Sequence, residues 1–110
     1  MILYNVTINM ESAIHDEWLN WTKTSYLPEL MKTGIFSSCK LCRLVDSPNE
    51  GITYSIQYFC DSMQNYQRFQ KEQSERFRDM HAEKFNKSSV SFETLMEVIE
   101  EYTVSNFSLN

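Results

Sequence analysis

The chain opens with alternating apolar and polar side chains, which is the period of a β-strand. Ile2, Tyr4, Val6 and Ile8 occupy every second position. Since successive side chains of a strand point to opposite faces of its sheet, these four share one face. The pattern predicts a half-buried strand over residues 2–8.

The next segment changes to a helical period. Ile14, Trp18 and Trp21 are spaced by three or four residues, which is typical of the buried stripe of an amphipathic helix. Ser12 is suited to the N-cap position, so we expect the helix to begin near Ala13.

A proline and a glycine mark the end of this first helix. Pro28 lacks an amide proton and disfavours helical angles at Leu27, so we predict a kink or break at residues 26–28. Gly34 stands where a left-handed C-terminal cap belongs.

A β-hairpin is predicted next. Residues 35–45 alternate and look extended, and residues 52–60 alternate again. Residues 46–51 lie between them and contain a proline, an asparagine and a glycine, which favour turns. Two extended segments around such a turn are typical of a hairpin.

A second helix follows the hairpin. Asp61 and Gln64 have the spacing of a capping box at its start. Over about six turns an apolar stripe continues through Met63, Tyr66, Phe69, Phe77 and Met80. The stripe predicts one continuous helix.

The segment of residues 89–102 fits two structures. The helical reading uses Phe92, Leu95, Met96 and Ile99. The strand reading uses Phe92, Thr94, Met96 and Val98. Periodicity alone favours the helix slightly. Residues 103–110 are predicted to be irregular.

Composition narrows the class of protein. The chain has 110 residues and a formal net charge of −5, with 2 Trp, 6 Tyr and 7 Phe but only 2 Gly and 2 Pro. We expect one folded domain over residues 1–110, with its core over about residues 1–102. The acidic balance argues against nucleic acid and anionic membranes as partners. With no membrane span or signal peptide in the pattern, we expect a cytoplasmic protein.

The cysteines point to a reducing compartment. An odd number, three, fits poorly with a disulfide framework. Cys39 and Cys42 form a C-x-x-C, but on a strand the two thiols point to opposite faces. We therefore predict no metal site, and we expect no cofactor.

Three stretches of the sequence resemble one small bacterial family. They are residues 18–21 (WLNW), residues 26–36 (YLPELMKTGIF) and residues 53–58 (TYSIQY). The predicted order of elements along the chain is strand, helix, strand, strand, helix and a final element. Together with this order, the three stretches resemble the family catalogued as domain of unknown function 4286. The similarity covers nearly the whole chain, up to about Ile99.

That family is similar in turn to the dimeric α/β-barrel superfamily. The resemblance implies an α+β fold, a ferredoxin-like βαββαβ domain with a four-stranded antiparallel sheet, in which residues 89–102 supply a strand. It also implies a homodimer in which two sheets face each other. It implies no single activity, because the superfamily holds quinone-forming monooxygenases, haem-degrading enzymes, isomerases and proteins with no assigned role.

One position departs from the family pattern. Family members commonly carry a histidine two residues before the proline, where this chain has Tyr26. A phenol titrates near pH ~10 and is a poorer proton shuttle at neutral pH than imidazole. The departure argues against an acid–base role at this position.

The first helix carries the candidate ligand-binding residues. A kinked helix leaves a gap that a straight one would fill, so we predict a pocket for a flat aromatic ligand between this helix and the sheet. The candidate lining residues are Trp18, Trp21, Thr22, Tyr26, Asn5, Tyr54 and Tyr58. The competing interpretation is that these side chains only pack the core. His15 and His81 are expected at the surface.

The sheet face away from the helices predicts the partner. We assign to it the polar residues Asn5, Thr7, Thr53, Ser55, Gln57 and Glu97 with the apolar residues Leu3, Phe59, Leu95 and Ile99. A monomer would expose this mixed face, so we expect a homodimer.

Three functions stay open at this stage. The favoured one is a binding domain for a small flat aromatic molecule. The second is a cofactor-free monooxygenase or isomerase, and the third is a noncatalytic homodimer. No Ser-His-Asp set or phosphate-binding glycine loop supports nucleophilic catalysis or nucleotide binding.

Overall fold

The computed structural model describes residues 1–46 and 50–104. Within these two ranges, four strands and four α-helices form in chain order, with a 3₁₀ turn at Ser12–Ile14 and a π-helical turn at Thr22–Tyr26. The elements are β1 (Ile2–Met10), α1 (His15–Trp21), α2 (Leu27–Met31), β2 (Ser38–Arg43), β3 (Ile52–Cys60), α3 (Met63–Glu72), α4 (Ser74–Phe85) and β4 (Ser89–Glu97). None of the helices in these ranges is long and apolar enough to cross a bilayer.

The strands form one antiparallel sheet in the order β2-β3-β1-β4. The helices cover one face of this sheet, and the aromatic core lies between the two layers. This is the ferredoxin-like βαββαβ arrangement that the sequence pattern and the family resemblance predicted.

Alternation along β1 and β3 decides which face is covered. Ile2, Tyr4, Ile8 and Met10 are buried on β1, and they pair with Cys60, Tyr58, Tyr54 and Ile52 of β3. Opposite residues in an antiparallel pair share a face. The alternate apolar residues of β1 and β3 therefore form the side of the sheet that faces the core, as predicted.

The first helix is deformed one turn before the proline. In the π-helical turn at Thr22–Tyr26 the Leu27 amide donates to the Thr22 carbonyl, five residues back. Trp18, Thr22 and Leu30 are all buried although their spacings are multiples of four. A regular helix of 3.6 residues per turn would rotate such a row off the sheet, and the wider turn keeps it facing the core.

The predicted ends of this helix need one correction. Ser12 lies inside the 3₁₀ turn that precedes α1, and its side chain does not cap α1. The residue with extended backbone angles before this turn is Glu11. The expected left-handed residue is found at Gly34, whose φ is 73° and whose amide donates to the Met31 carbonyl.

The predicted second helix is in fact two helices. Gln73 leaves helical geometry (φ −126°, ψ −28°) and separates α3 from α4. The cap also lies one residue later than predicted. The Ser62 side chain accepts the Asn65 amide, whereas we assigned the capping role to Asp61.

The hairpin forms as predicted, although β2 is shorter than expected. Ile35 and Phe36 are buried in the core but lie before the strand, which begins at Ser38. Cys39 and Cys42 pair with Tyr58 and Ser55 and so face opposite sides of the sheet. Part of the predicted turn, residues 47–49, lies outside the described residues.

The last segment contains a strand at Ser89–Glu97, so the resemblance was right and periodicity was wrong, although residues 98–102 lie outside the strand. β4 pairs with β1 along its whole length, and this long-range pairing outweighs the local helical pattern. Its register also corrects the predicted open face. Leu95 and Glu97 lie opposite Tyr4 and Ile2 on the helix side. Ile99, which we also assigned to the open face, lies beyond the end of β4 and is not part of the sheet. The open face carries Val90, Phe92, Thr94 and Met96 instead.

Thr22 has a buried polar atom whose removal we expect to be favourable. Its side chain is fully buried, and within residues 1–46 and 50–104 its Oγ1 is a buried oxygen with no hydrogen-bond partner. Thr22→Val keeps the branched shape and removes the unpaired hydroxyl. We expect it to raise the free energy of unfolding by about 1 kcal/mol, measured by urea titration.

Thr24→Val is the matched control for this prediction. The Thr24 hydroxyl is exposed and donates to the Asn20 carbonyl, so we expect a change within about 0.5 kcal/mol. A loss of stability in Thr22→Val would mean that the hydroxyl has a partner in solution.

Candidate functional site

A cavity of about 240 Å³ lies between the sheet and α4. Its walls come from β1, β3, the first helix and α4, and β4 closes one side. Since an apolar cavity of about 150 Å³ accepts benzene, this volume suits a molecule of about two fused rings. The site is thus large enough for a small planar ligand.

Aromatic rings form part of its inner surface. Tyr4 stacks on Tyr58 at 5.5 Å between centroids, and Phe69 stacks on Phe77 at 6.2 Å. Tyr26 meets the Phe77 ring edge to face at 5.8 Å. Offset and edge contacts of this kind hold the rings in fixed orientations. The walls are therefore preformed.

Glu93 is the carboxylate of the cavity wall. It lies on β4 opposite Val6, which turns it toward the helices. The Tyr4 hydroxyl donates to its Oε1 at 2.6 Å. Burial first, and then this neighbouring carboxylate, raise the pKa of Tyr4, since both disfavour a phenolate. The pair gives the cavity a carboxylate acceptor.

His81 borders the same cavity and is fixed in one protonation state. The Trp18 indole Nε1–H donates to His81 Nε2 at 2.9 Å. Because an indole N–H can only donate, Nε2 must be unprotonated, and the proton of the neutral ring lies on Nδ1. Burial lowers the pKa of His81, which also favours the neutral ring.

Two phenols add further donors. Tyr58 is only 2% exposed and lines the cavity, yet no described residue accepts a hydrogen bond from its hydroxyl. Burial raises the pKa of Tyr58 well above its ordinary value, and burial followed by Glu93 raises the pKa of Tyr26 to about 12. Both hydroxyls are therefore protonated at neutral pH.

The predicted site residues do not come together in one pocket. Tyr26 and Tyr58 line the cavity. Trp18 and Thr22 are fully buried and line no opening, because the aromatic stripe packs against the sheet. Trp21 packs beside the cavity, with its ring 5.0 Å from Tyr26.

Asn5 is the clear outlier among the predicted residues. It lies on the open sheet face, where it donates to Thr7 and accepts from Ser55. Strand alternation puts it on the opposite side from Tyr4, so it cannot share a site with the helix residues. Its assignment to the pocket is wrong.

Tyr54 lines a second opening beside the proline. This groove has a volume of about 730 Å³ and runs between the first helix and β2. The rings of Trp18 and Tyr54 lie 4.9 Å apart, while Trp18 also bonds His81 on the cavity side. Trp18 thus lies between the groove and the cavity. The structure has two openings here, where we predicted a single pocket.

Both histidines are more buried and better bonded than we predicted. The His15 side chain is 13% exposed, its Nδ1 lies 3.0 Å from Asp16 Oδ1, and its Nε2 lies 2.7 Å from the Tyr54 hydroxyl. A carboxylate only accepts, so Nδ1 donates to Asp16. In the neutral ring Nε2 then accepts from Tyr54.

Glu93 and Arg78 are the cavity residues that the sequence analysis missed. Arg78 lies one turn before His81 in α4 and donates to the buried Ser74 hydroxyl at 3.0 Å. A signal existed only for Glu93, since the strand reading of residues 89–102 puts it on the face opposite Phe92. Its partner Tyr4 could not be known without the register.

Comparison with known proteins gives a family but no function. The model of one family, described as a domain of unknown function (DUF4286), matches residues 1–99. No curated protein matches the chain at a significant level.

Solved structures with the same fold include three informative neighbours. A dimeric ferredoxin-like protein from an uncultured marine organism has a TM-score of 0.70 at 16% identity, over 94% of this chain and 99% of that one. An EthD family protein from Bacillus halodurans has a TM-score of 0.64 at 13% identity, over 89% and 100% of the two chains.

The third neighbour is a variant of SnoaB, a cofactor-independent oxygenase from Streptomyces nogalater. Its TM-score is 0.63 at 13% identity, over 91% of this chain and 94% of that chain. At such identities these likenesses establish the ferredoxin-like fold alone.

The neutral state of His81 predicts a dependence of stability on pH. The pKa of His81 is lowered in the folded chain. Below about pH 6.5, His81 therefore binds a proton in the unfolded chain more readily than in the folded chain. Stability is full above that pH and falls as the pH drops. We expect His81 to remove at most about 1.4 kcal/mol of unfolding free energy between pH 7.5 and pH 5.5.

His81→Gln isolates this contribution. The glutamine carbonyl can still accept from the Trp18 indole but does not titrate in this range. Urea titrations at both pH values should show that the variant loses less unfolding free energy on acidification than the natural chain does. Equal losses would contradict a buried neutral His81.

Proposed function

The chain belongs to the DUF4286 family, and for this member we propose that the cavity between the sheet and α4 binds a small planar aromatic molecule that carries oxygen acceptors. The observation that carries the proposal is Tyr58, which lines the cavity and is only 2% exposed, yet whose hydroxyl has no described acceptor. This hydroxyl can therefore donate to an oxygen atom of a ligand in the cavity.

Two other polar groups of the cavity, His81 and Tyr26, support the same class of ligand. His81 carries its proton on Nδ1, and Tyr26 keeps its phenol proton because its pKa is raised to about 12. These are neutral donors, which suit a carbonyl or ether oxygen. The flat rings of Tyr4, Tyr58 and Phe69 favour a planar body that can stack on them.

Chromone is a suitable probe because it is a planar two-ring ketone. We expect it to raise the melting temperature and to quench tryptophan fluorescence, since a ligand that binds only the folded state stabilises it. Naphthalene, which has no acceptor, should bind less tightly. Tyr58→Phe should weaken chromone binding about fivefold to tenfold.

Tyr54→Phe is the matched control for Tyr58→Phe. It removes a phenol hydroxyl from the same face of β3, but that hydroxyl bonds His15 and does not line the cavity. We expect chromone affinity within about twofold of the natural chain. Equal affinity for chromone and naphthalene, or no loss in Tyr58→Phe, would reject the proposal.

A second candidate function is a cofactor-free oxygenase. It is supported by the similarity to SnoaB in fold and by Glu93, the carboxylate that lines the cavity among the described residues. Glu93 would take the hydroxyl proton of an electron-rich phenol, which then reduces dioxygen. With 1-naphthol the balanced reaction gives 1,4-naphthoquinone and water, and an oxygen electrode distinguishes this turnover from binding alone.

An isomerase would use the same carboxylate to move a proton within the ligand. A noncatalytic homodimer is the remaining alternative, and it predicts that neither chromone nor 1-naphthol binds. The free thiols of Cys39, Cys42 and Cys60 support a reducing, cytoplasmic compartment as part of the proposal. The bacterial sources of the EthD family protein and SnoaB support a bacterial origin.

The proposal includes a homodimer formed through the open sheet face. Val90 is 71% exposed, Phe92 63% and Met96 41%, all on the same side of β4. Soluble proteins rarely leave such a patch uncovered. The neighbour described as a dimeric ferredoxin-like protein supports a second copy of the chain as the cover.

Phe92→Glu tests the dimer. Light scattering coupled to size exclusion should give twice the 13.1 kDa chain mass for the natural protein and the chain mass itself for the variant at micromolar concentration. A buried carboxylate at the interface would oppose association. Ile99→Glu is the control, since Ile99 is 81% exposed but lies beyond β4. A natural chain that is monomeric would contradict the dimer.

A further inference from the structure

The groove beside Pro28 differs in chemistry from the cavity. Its walls are mainly aliphatic, with Leu19, Leu27 and Met31 on the helical side and Leu41 on β2. It is open to solvent and has a volume of about 730 Å³. Such a shape admits an extended apolar chain with one end in water.

Two cations flank these apolar walls. Arg43 pairs with Tyr54 across the sheet, so its guanidinium group is carried on the helix side, after Cys39 and Leu41 on the same face. Lys23 lies on the opposite wall, in the π-helical turn. Neither forms an ion pair with any residue that the structure describes.

The other polar groups of the groove do not offset this charge. Tyr54 engages His15 through its hydroxyl. Burial, and then the neighbouring Cys42, raise the pKa of Cys39 to about 11, so the thiol is uncharged at neutral pH. No carboxylate lies among the described lining residues. In a chain of net charge −5, this groove is locally positive.

We propose that this groove binds an amphiphilic organic acid, with an aliphatic body against the leucine and methionine side chains and a carboxylate between Lys23 and Arg43. The apolar walls supply the area for the body of the ligand. Because Lys23 and Arg43 line the same groove and no described lining residue is acidic, a carboxylate there is attracted by positive charge. The cavity has a carboxylate, Glu93, as well as a cation, Arg78, so it lacks this excess of positive charge and the two sites select different molecules.

Octanoate and octanamide test the proposal, because they have nearly the same shape and differ in charge. Each is titrated into the natural chain while amide chemical shifts are followed by NMR. We expect octanoate to bind about tenfold more tightly than octanamide and to shift the amides of Lys23 and Arg43. Equal affinity, no saturable binding, or shifts centred on Tyr58 and His81 would overturn the proposal.

A charge-reversal pair supplies the second arm. Lys23→Glu with Arg43→Glu should weaken octanoate binding by about tenfold or more and leave octanamide within about twofold. The control pair is Arg68→Glu with Lys71→Glu, which changes the net charge equally at exposed positions on α3. An equal loss in both pairs would mean that general charge attracts octanoate.

The ligand comparison in the natural chain does not depend on whether these variants fold. It is also independent of the proposed cavity function, since chromone binding is tested at Tyr58. Either site can therefore fail while the other is upheld.

Discussion

The hydrogen bond from Trp18 to His81 is the interaction on which the arrangement of both sites depends. It joins the first helix to α4 between residues 63 positions apart in the chain. Trp18 is fully buried between these helices and the sheet, where its ring also contacts Tyr54. This one side chain separates the cavity from the groove. It also fixes which nitrogen of His81 carries the proton, and hence what the cavity offers a ligand.

The deformation of the first helix makes that position possible. Trp18 and Thr22 face the core four residues apart, and Leu30 does so after two more intervals of four. A row at this spacing stays on one side only because the helix widens at Thr22–Tyr26. Pro28, in the first turn of α2, follows directly where its missing amide costs little. The same stretch brings Tyr26 to the cavity and Lys23 to the groove.

The sequence predicted the parts of the fold that depend on local pattern. Alternation identified β1 and β3, and Gly34 was correctly assigned to a left-handed position. Residues 89–102 were different, because a strand at the sheet edge is held by its pairing with β1 rather than by its own period. There the resemblance to a family decided correctly where periodicity did not.

The candidate site was predicted in part for a related reason. Tyr26 and Tyr58 were named from helix and strand faces alone, and both line the cavity. Whether an aromatic residue fills the core or lines a cavity depends on packing between elements. The sequence alone therefore could not show that Trp18 fills the core while Tyr26 lines the cavity. Glu93 and His81 acquire their roles from partners 89 and 63 positions away. Only the register of the sheet and the docking of α4 bring these pairs together.

The protonation of the His81 ring tests this account most directly. Nitrogen-15 NMR of the imidazole at neutral pH distinguishes a protonated from an unprotonated nitrogen at each ring position. If Trp18 donates to His81, Nδ1 is observed protonated and Nε2 unprotonated, and the Trp18→Phe variant loses this preference. A ring protonated on Nε2 in the natural chain, or an imidazolium, would contradict the hydrogen bond and the separation of sites that rests on it.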